Sequence, residues 1–378
     1  MLCAVAAVAL LAAPSATASS HVVQQLALLQ RAGVQIPRVV KPIQRRALSV
    51  DEPALAETYQ PGIAWEWQWA DSRIGQVPDW VLRAAASVKI AVVDSGADVN
   101  APDLADKSPR TWSVLSRSTR VRDRLGHGTF VASLATGSVL NGTGVSGFGG
   151  DAQLLVVQAI DADGYITDVD EAAAIVYAVK HGAKIVNLSI GGSETSQVEQ
   201  RAIRWAARRG VLIVAAAGNE HADGNLPEYP AALLQPLGSH GRGGIGLAVG
   251  ATSMDGTRAY FSNTGSYLSL AAPGFNVFAA ESADAPWPRA QLPWSSPGYY
   301  GWASGTSFSS PEVAGVAALV WAANPRLTAR QVANVLKQSA TGTQWNRELG
   351  WGRLDAASAV ELSLHTRGLA LRAATPVR

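Results

Sequence analysis

The 378-residue sequence has a single cysteine, Cys3, and only two methionines. One thiol excludes an internal disulfide framework and a thiolate metal centre. Cys3 opens an apolar run instead of following one, which argues against a lipid-anchored cysteine. Charge is also scarce, at 16% of residues with a net charge of +2. No basic stripe interleaved with aromatics occurs, so nucleic acid is not an expected partner; Arg201, Arg204, Arg208 and Arg209 read as the solvated face of one helix. After the N-terminal apolar run, no stretch is long enough to span a bilayer. Internal repeats are absent as well. What the chain does have is 48% hydrophobic residues, enough for the core of one α/β domain of roughly 300 residues plus a leader.

Residues 1–18 are apolar, too short for a comfortable span, and end in Ala16-Thr17-Ala18. That small-x-small ending predicts a secretory signal peptide, although the usual basic start is missing. Residues 19–61 read as irregular, weakly helical over 24–29, with Pro37, Pro42 and the dibasic Arg45-Arg46. They are either a pro-segment or a linker, and a disordered arm is the plainer reading. A compact region runs from 62 to 364, leaving a polar tail at 365–378. Within it, apolar runs at 88–93, 154–159, 184–190, 211–217 and 247–250 alternate with amphipathic helical stretches at 171–181 and 197–209. Such alternation predicts an α/β fold of three layers, a mostly parallel central sheet with helices on both faces. Active residues then collect at the carboxyl ends of the strands.

Gly305-Thr306-Ser307-Phe308-Ser309-Ser310-Pro311 is a small-residue turn running into an apolar helix. It presents Ser307 as a nucleophile candidate, with Pro311 expected in the first helical turn, where its missing N–H costs nothing. A serine nucleophile needs a base, an orienting carboxylate and an anion-stabilising donor. Asp94 closes a strand in Val92-Val93-Asp94-Ser95-Gly96, a placement shared with phosphoacceptor and nucleotide-binding folds. His127 lies between glycines at a helix start, which suits either a structural imidazole or a neutral general base. Asn219, in Ala217-Gly218-Asn219-Glu220 just past a strand, offers an amide donor for a developing oxyanion. A nucleotide-binding reading rests on Gly147-Phe148-Gly149-Gly150, which lacks the G-x-G-x-x-G order.

In the chain order Asp, His, Asn, Ser these motifs resemble those of the subtilisin-family serine proteases, over about residues 65–359. The resemblance implies a secreted serine endopeptidase with a triad of Asp94, His127 and Ser307 and with Asn219 in the oxyanion hole, acting on polypeptides as a monomer with no cofactor in the chemistry. The alternative is an inactive relative kept as a binding protein. By the same resemblance, Ser189, Ile190 and Gly191 pair with the substrate backbone, and Ala217, Gly218, Glu220, Glu228 and Tyr229 line the specificity pocket. Glu228 is either a buried acid selecting a basic residue or an exposed loop glutamate. Asp103 and the loop at 141–145, with Asn141, correspond to a structural calcium site, or are ordinary turn residues. Self-cleavage is expected near 59–62. Glu312 replaces a histidine common in the family and reads as packing. The aromatic insertion at 282–302, with Trp287, Trp294, Tyr299, Tyr300 and Trp302, is either core or a wall over the substrate groove.

Overall fold

The computed structural model describes residues 16–37, 44–47, 66–139, 144–287, 289–290 and 298–367. Most of the expected leader, the 59–62 segment, Asn141, Trp294 and most of the tail lie outside the described residues.

The strands are β1 (Gln44–Ala47), β2 (Lys89–Asp94), β3 (Arg110–Ser113), β4 (Gln153–Gln158), β5 (Tyr165–Thr167) and β6 (Ile185–Leu188). They continue as β7 (Ile190–Gly191), β8 (Leu212–Ala216), β9 (Gly246–Thr252), β10 (Leu270–Pro273), β11 (Val277–Glu281) and β12 (Tyr299–Ala303). Seven form the central sheet in the order β10-β9-β8-β6-β2-β4-β3, with every neighbouring pair parallel. Period-2 alternation divides its side chains between two cores. Ile90, Val92, Leu154 and Val156 face one hydrophobic cluster, while Ala91, Val93, Leu155 and Val157 face the other. The first cluster is covered by the helices His127–Thr136, Thr306–Ala323, Ala329–Ser339 and Ala356–His365. The second is covered by Asp168–Lys180 and Gln197–Arg208. Three layers are therefore present, and both sheet faces are dry, as the near-continuous apolar strands require.

The Thr306–Ala323 helix is buried from Thr306 to Ala322, consistent with its small, apolar sequence. Pro311 is its sixth residue, so it lies in the second turn and not the first. The proline is tolerated because the carbonyl it leaves unpaired, four residues back at Ser307, accepts a hydrogen bond from Ser189 Oγ at 2.6 Å.

The N-terminal segment is more ordered than its composition suggests. A helix spans Ala16–Arg31, and Leu26, Leu29 and Val34 are buried in the second core. Gln25 donates to the Val114 carbonyl at 2.8 Å, and Trp205 Nε1 donates to the Ala32 carbonyl at 3.0 Å. His21 lies 2.6 Å from Asp170, whose hydrogen bond pushes the imidazole pKa up. Beyond this helix, β1 runs antiparallel between β5 and β7, with Arg46 opposite Gly191 and Ala47 opposite Ile190.

The aromatic insertion contributes to the core. β11 and β12 form an antiparallel pair, Tyr300 is 2% exposed, and its ring stacks 6.0 Å from that of Phe278.

Candidate active site

Asp94 ends β2, Ser189 follows β6, and Gly218-Asn219 follow β8, so all lie at one carboxyl edge of the sheet. The His127–Thr136 and Thr306–Ala323 helices begin at that edge. Their first turns meet through side-chain packing: the Phe308 ring lies 5.5 Å from the His127 ring and 4.6 Å from Phe130. Trp287 from the insertion packs on Phe130 at 5.7 Å, so it backs the histidine helix.

His127 Nδ1 is 2.8 Å from Asp94 Oδ1, with both side chains essentially buried. Asp94 Oδ1 also accepts from the Ser95 N–H at 2.7 Å. A carboxylate can only accept, so with this contact His127 carries its proton on Nδ1, and Nε2 is the basic nitrogen of the ring. Gly128 has to be glycine, because a Cβ there would stand 2.1 Å from the Gly96 carbonyl oxygen. That close approach brings the histidine helix down onto the loop after β2.

The Asn219 amide is fixed in one orientation. Its Oδ1 accepts from the Thr306 N–H at 2.9 Å and from Thr306 Oγ1 at 3.0 Å. Thr306 Oγ1 in turn accepts from the Gly218 N–H at 3.1 Å. Nδ2 is left buried with no hydrogen-bond partner among the described residues. An unpaired buried donor costs about 1–3 kcal/mol and marks a place where an acceptor belongs. It sits at the positive end of the 18-residue Thr306–Ala323 helix, whose first-turn N–H groups have no acceptor inside their own helix. The edge is thus suited to stabilising a developing anion next to a serine hydroxyl.

The model of the subtilase family matches residues 85–352. The chain belongs to the subtilase family. It is 33% identical over 299 residues to thermitase of Thermoactinomyces vulgaris, covering 78% of this chain and 96% of that one. Subtilisin BL of Lederbergia lenta is 34% identical over 293 residues, covering 77% and 97%. M-protease of Shouchella clausii is 35% identical over 293 residues, covering 77% and 69%. The protein is a subtilisin-like serine endopeptidase with a parallel α/β fold.

In this subtilase the short strand β7 carries Ile190 and Gly191, both buried. Tyr229 and Gly192 exchange both backbone hydrogen bonds, at 2.9 and 3.1 Å, tying the 228–230 segment to the end of that strand. Glu228 is buried rather than an exposed loop glutamate. Gly218, at φ +107°, cannot carry a side chain, since a Cβ would meet Glu228 Cγ and Asn263 Nδ2, each at 2.3 Å.

Asp123 joins this set of contacts, although no motif in the sequence marks it. It is fully buried and accepts from Ser95 Oγ (2.8 Å), the Gly126 N–H (2.8 Å), the Thr129 N–H (2.7 Å) and Thr129 Oγ1 (2.6 Å). Burial pushes its carboxyl pKa up against the pull of these donors. The carboxylate holds the first turn of the histidine helix to the loop after Asp94, so it positions His127 without touching it.

The expected calcium position does not fit a cation. Asp103 Oδ1 accepts from the Val145 N–H at 2.6 Å and Oδ2 accepts from Tyr300 OH at 2.9 Å. The loop backbone crowds the carboxylate so closely that a Cβ on Gly144 would stand 2.0 Å from Oδ1 and 2.4 Å from the phenol oxygen. Nearby, Glu66 accepts from the Ser146 N–H at 2.7 Å. Burial raises Asp103 to about 6 and Glu66 to about 7, which favours the neutral acids. Among the described residues no group of three or more His, Cys, Asp or Glu side chains could hold a metal ion.

Proposed function

We propose that Ser307 is the nucleophile, His127 the general base and acid, Asp94 the carboxylate that fixes its tautomer, and Asn219 with the Ser307 N–H the oxyanion hole. The observation that carries this reading is the buried Asn219 Nδ2, oriented by Thr306 and left without an acceptor beside the serine. Ser307 Oγ forms a bond to the peptide carbonyl carbon as its proton passes to His127 Nε2. The carbonyl oxygen becomes an oxyanion and accepts from Asn219 Nδ2. Collapse breaks the C–N bond, and His127 returns the proton to the leaving amine. Water then attacks the acyl-enzyme, losing a proton to His127, and the released Ser307 oxygen takes that proton back. Asp94 stays ionised throughout and stabilises the imidazolium.

A polypeptide substrate adds an antiparallel strand between β5 and β7, with Ser189, Ile190 and Gly191 on one side. The chain's own β1 occupies that position, which supports a pro-segment role for residues 19–61, with cleavage in the few residues after Ala47. Residues 1–18 act as a secretory leader, and the processed enzyme acts outside the cell as a monomer.

The test is hydrolysis of an unstructured peptide by Asp94→Asn, His127→Ala, Ser307→Ala and the triple variant. Triad members act as a unit, so Ser307→Ala and the triple variant should lose a similar factor in kcat. Additive losses would contradict the assignment.

A further inference from the structure

Two carboxylates stand beneath the backbone that leads to the oxyanion amide. Gly218 immediately precedes Asn219, and a Cβ placed on it would lie 2.3 Å from Glu228 Cγ and 2.9 Å from Glu220 Oε2. Glu220 Oε2 accepts from the Asn219 N–H at 2.7 Å and from Asn263 Nδ2 at 3.3 Å, which fixes its carboxylate against the same strand. Glu228 is 4% exposed, and the next residue, Tyr229, exchanges both backbone hydrogen bonds with Gly192. Tyr267 OH donates to the Ala217 carbonyl at 2.9 Å. Burial holds that phenol well above its ordinary pKa, and the Glu228 and Glu220 charges add to the effect.

We infer that Glu228 and Glu220 make this protease select substrates with arginine or lysine at P1, the residue whose carbonyl is attacked. The inference rests on the assignment of Ser307 and Asn219 above. If the scissile carbonyl oxygen lies at Asn219 Nδ2, the P1 Cα is one bond from the carbonyl carbon, and the P1 side chain enters alongside Gly218. An aromatic or aliphatic side chain there offers the two acids neither a countercharge nor a hydrogen bond. A lysine or arginine lays its methylene stem along the Ala217-Gly218 wall and delivers its cation to the carboxylates. In a partly desolvated pocket that pairing is much stronger than in water. Arginine, with its planar fork of donors, can satisfy a carboxylate with two hydrogen bonds.

The experiment uses the purified secreted protein and four peptides that differ only at P1, as Arg, Lys, Phe or Leu. At low salt, kcat/KM for Arg should exceed that for Phe by about tenfold or more, and the ratio should shrink as salt is added. In Glu228→Gln and Glu220→Gln the Arg-to-Phe ratio should fall by about tenfold between them, most of it from Glu228. Because both substrates are read on one preparation, loss of folded protein cancels from the ratio. A wild-type preference for Phe or Leu, or a ratio unchanged in Glu228→Gln, overturns the inference. Hydrolysis of none of the four peptides would instead refute the assignment of the catalytic residues.

Discussion

Ser189 Oγ donates to the Ser307 carbonyl at 2.6 Å, the acceptor that Pro311 leaves without a helical partner. The hydroxyl itself accepts from Asn187 Nδ2 at 2.9 Å, and Asn187 Oδ1 accepts from Ser310 Oγ at 2.7 Å. Ser307 Oγ lies 3.1 Å from the Ser189 carbonyl oxygen, so Ser307 and the residue before β7 are tied by two contacts. The proline thus couples the Thr306–Ala323 helix to the residue that leads into β7. Ser189→Ala should strand the Ser307 carbonyl and cost about 1–3 kcal/mol of stability. Denaturant unfolding measures that loss, and kcat/KM should fall by about tenfold as Ser307, the proposed nucleophile, loses its register. Unchanged values of both would remove the coupling.

Asn219→Ala should lower kcat by roughly 10²–10³ with little change in KM, because the donor acts on the transition state and not on the bound substrate. That magnitude is the one recorded for the corresponding donor of subtilisin. Thr306→Val, which removes one of the two donors that orient the amide, should cost a smaller factor. Steady-state kinetics on one peptide ranks the two, and a larger loss in Thr306→Val would contradict the orientation argument.

The proposed pro-segment role can be read from processing, since β1 lies between β5 and β7. N-terminal sequencing of the secreted wild type should give a start within a few residues after Ala47, and Ser307→Ala should retain the upstream segment. A start at 59–62 would place the first cut elsewhere, and processing that persists in Ser307→Ala would assign it to another protease.

Tyr300 fills the acceptor that a cation would need at Asp103. Chelator should therefore leave the melting temperature of the Ser307→Ala protein unchanged. Tyr300→Phe, which strands a buried carboxyl oxygen, should cost about 1–3 kcal/mol in the same assay. A fall in melting temperature on chelation would show a bound metal.

Glu281 is buried, and burial raises its pKa from 4.5 to about 7. For an acid the folded-state pKa then lies above the unfolded one, so between them the folded state binds more protons. Its contribution to stability is fully present below about 4.5 and is lost as pH rises through about 7. Glu281→Gln cannot ionise, so relative to the parent it should gain on the order of 2–3 kcal/mol between pH 4.5 and 8. Urea unfolding of both proteins in the Ser307→Ala background measures the difference. A difference that stays flat with pH would contradict the buried-acid account.

The candidate site was legible because its close backbone approaches need turns of small residues that leave a local sequence mark: Gly126 and Gly128 around His127, Gly218 before Asn219, Gly305 before Ser307. The parallel sheet was legible from its apolar runs, since strands buried on both faces have no polar side to show. Asp123 was not, because Arg122-Asp123-Arg124 looks like a solvated loop and only the fold turns the middle side chain inward. Pro311 was placed one turn too early, since the hydroxyl that compensates it comes from Ser189, far away in sequence. The Ala16–Arg31 helix extends well beyond the expected 24–29, because its stability comes from burying Leu26 and Leu29 on the second core rather than from local propensity. Tyr300 and Trp287 could equally have lined the groove; Tyr300 instead closes over Asp103, and Trp287 packs against Phe130.

The most direct test of the central claim is the site of covalent labelling by a fluorophosphonate probe, read by peptide mass analysis of the secreted protein. One adduct on Ser307, abolished by His127→Ala and by Ser307→Ala, is the predicted result. Labelling at another serine, or labelling that survives in Ser307→Ala, would contradict it.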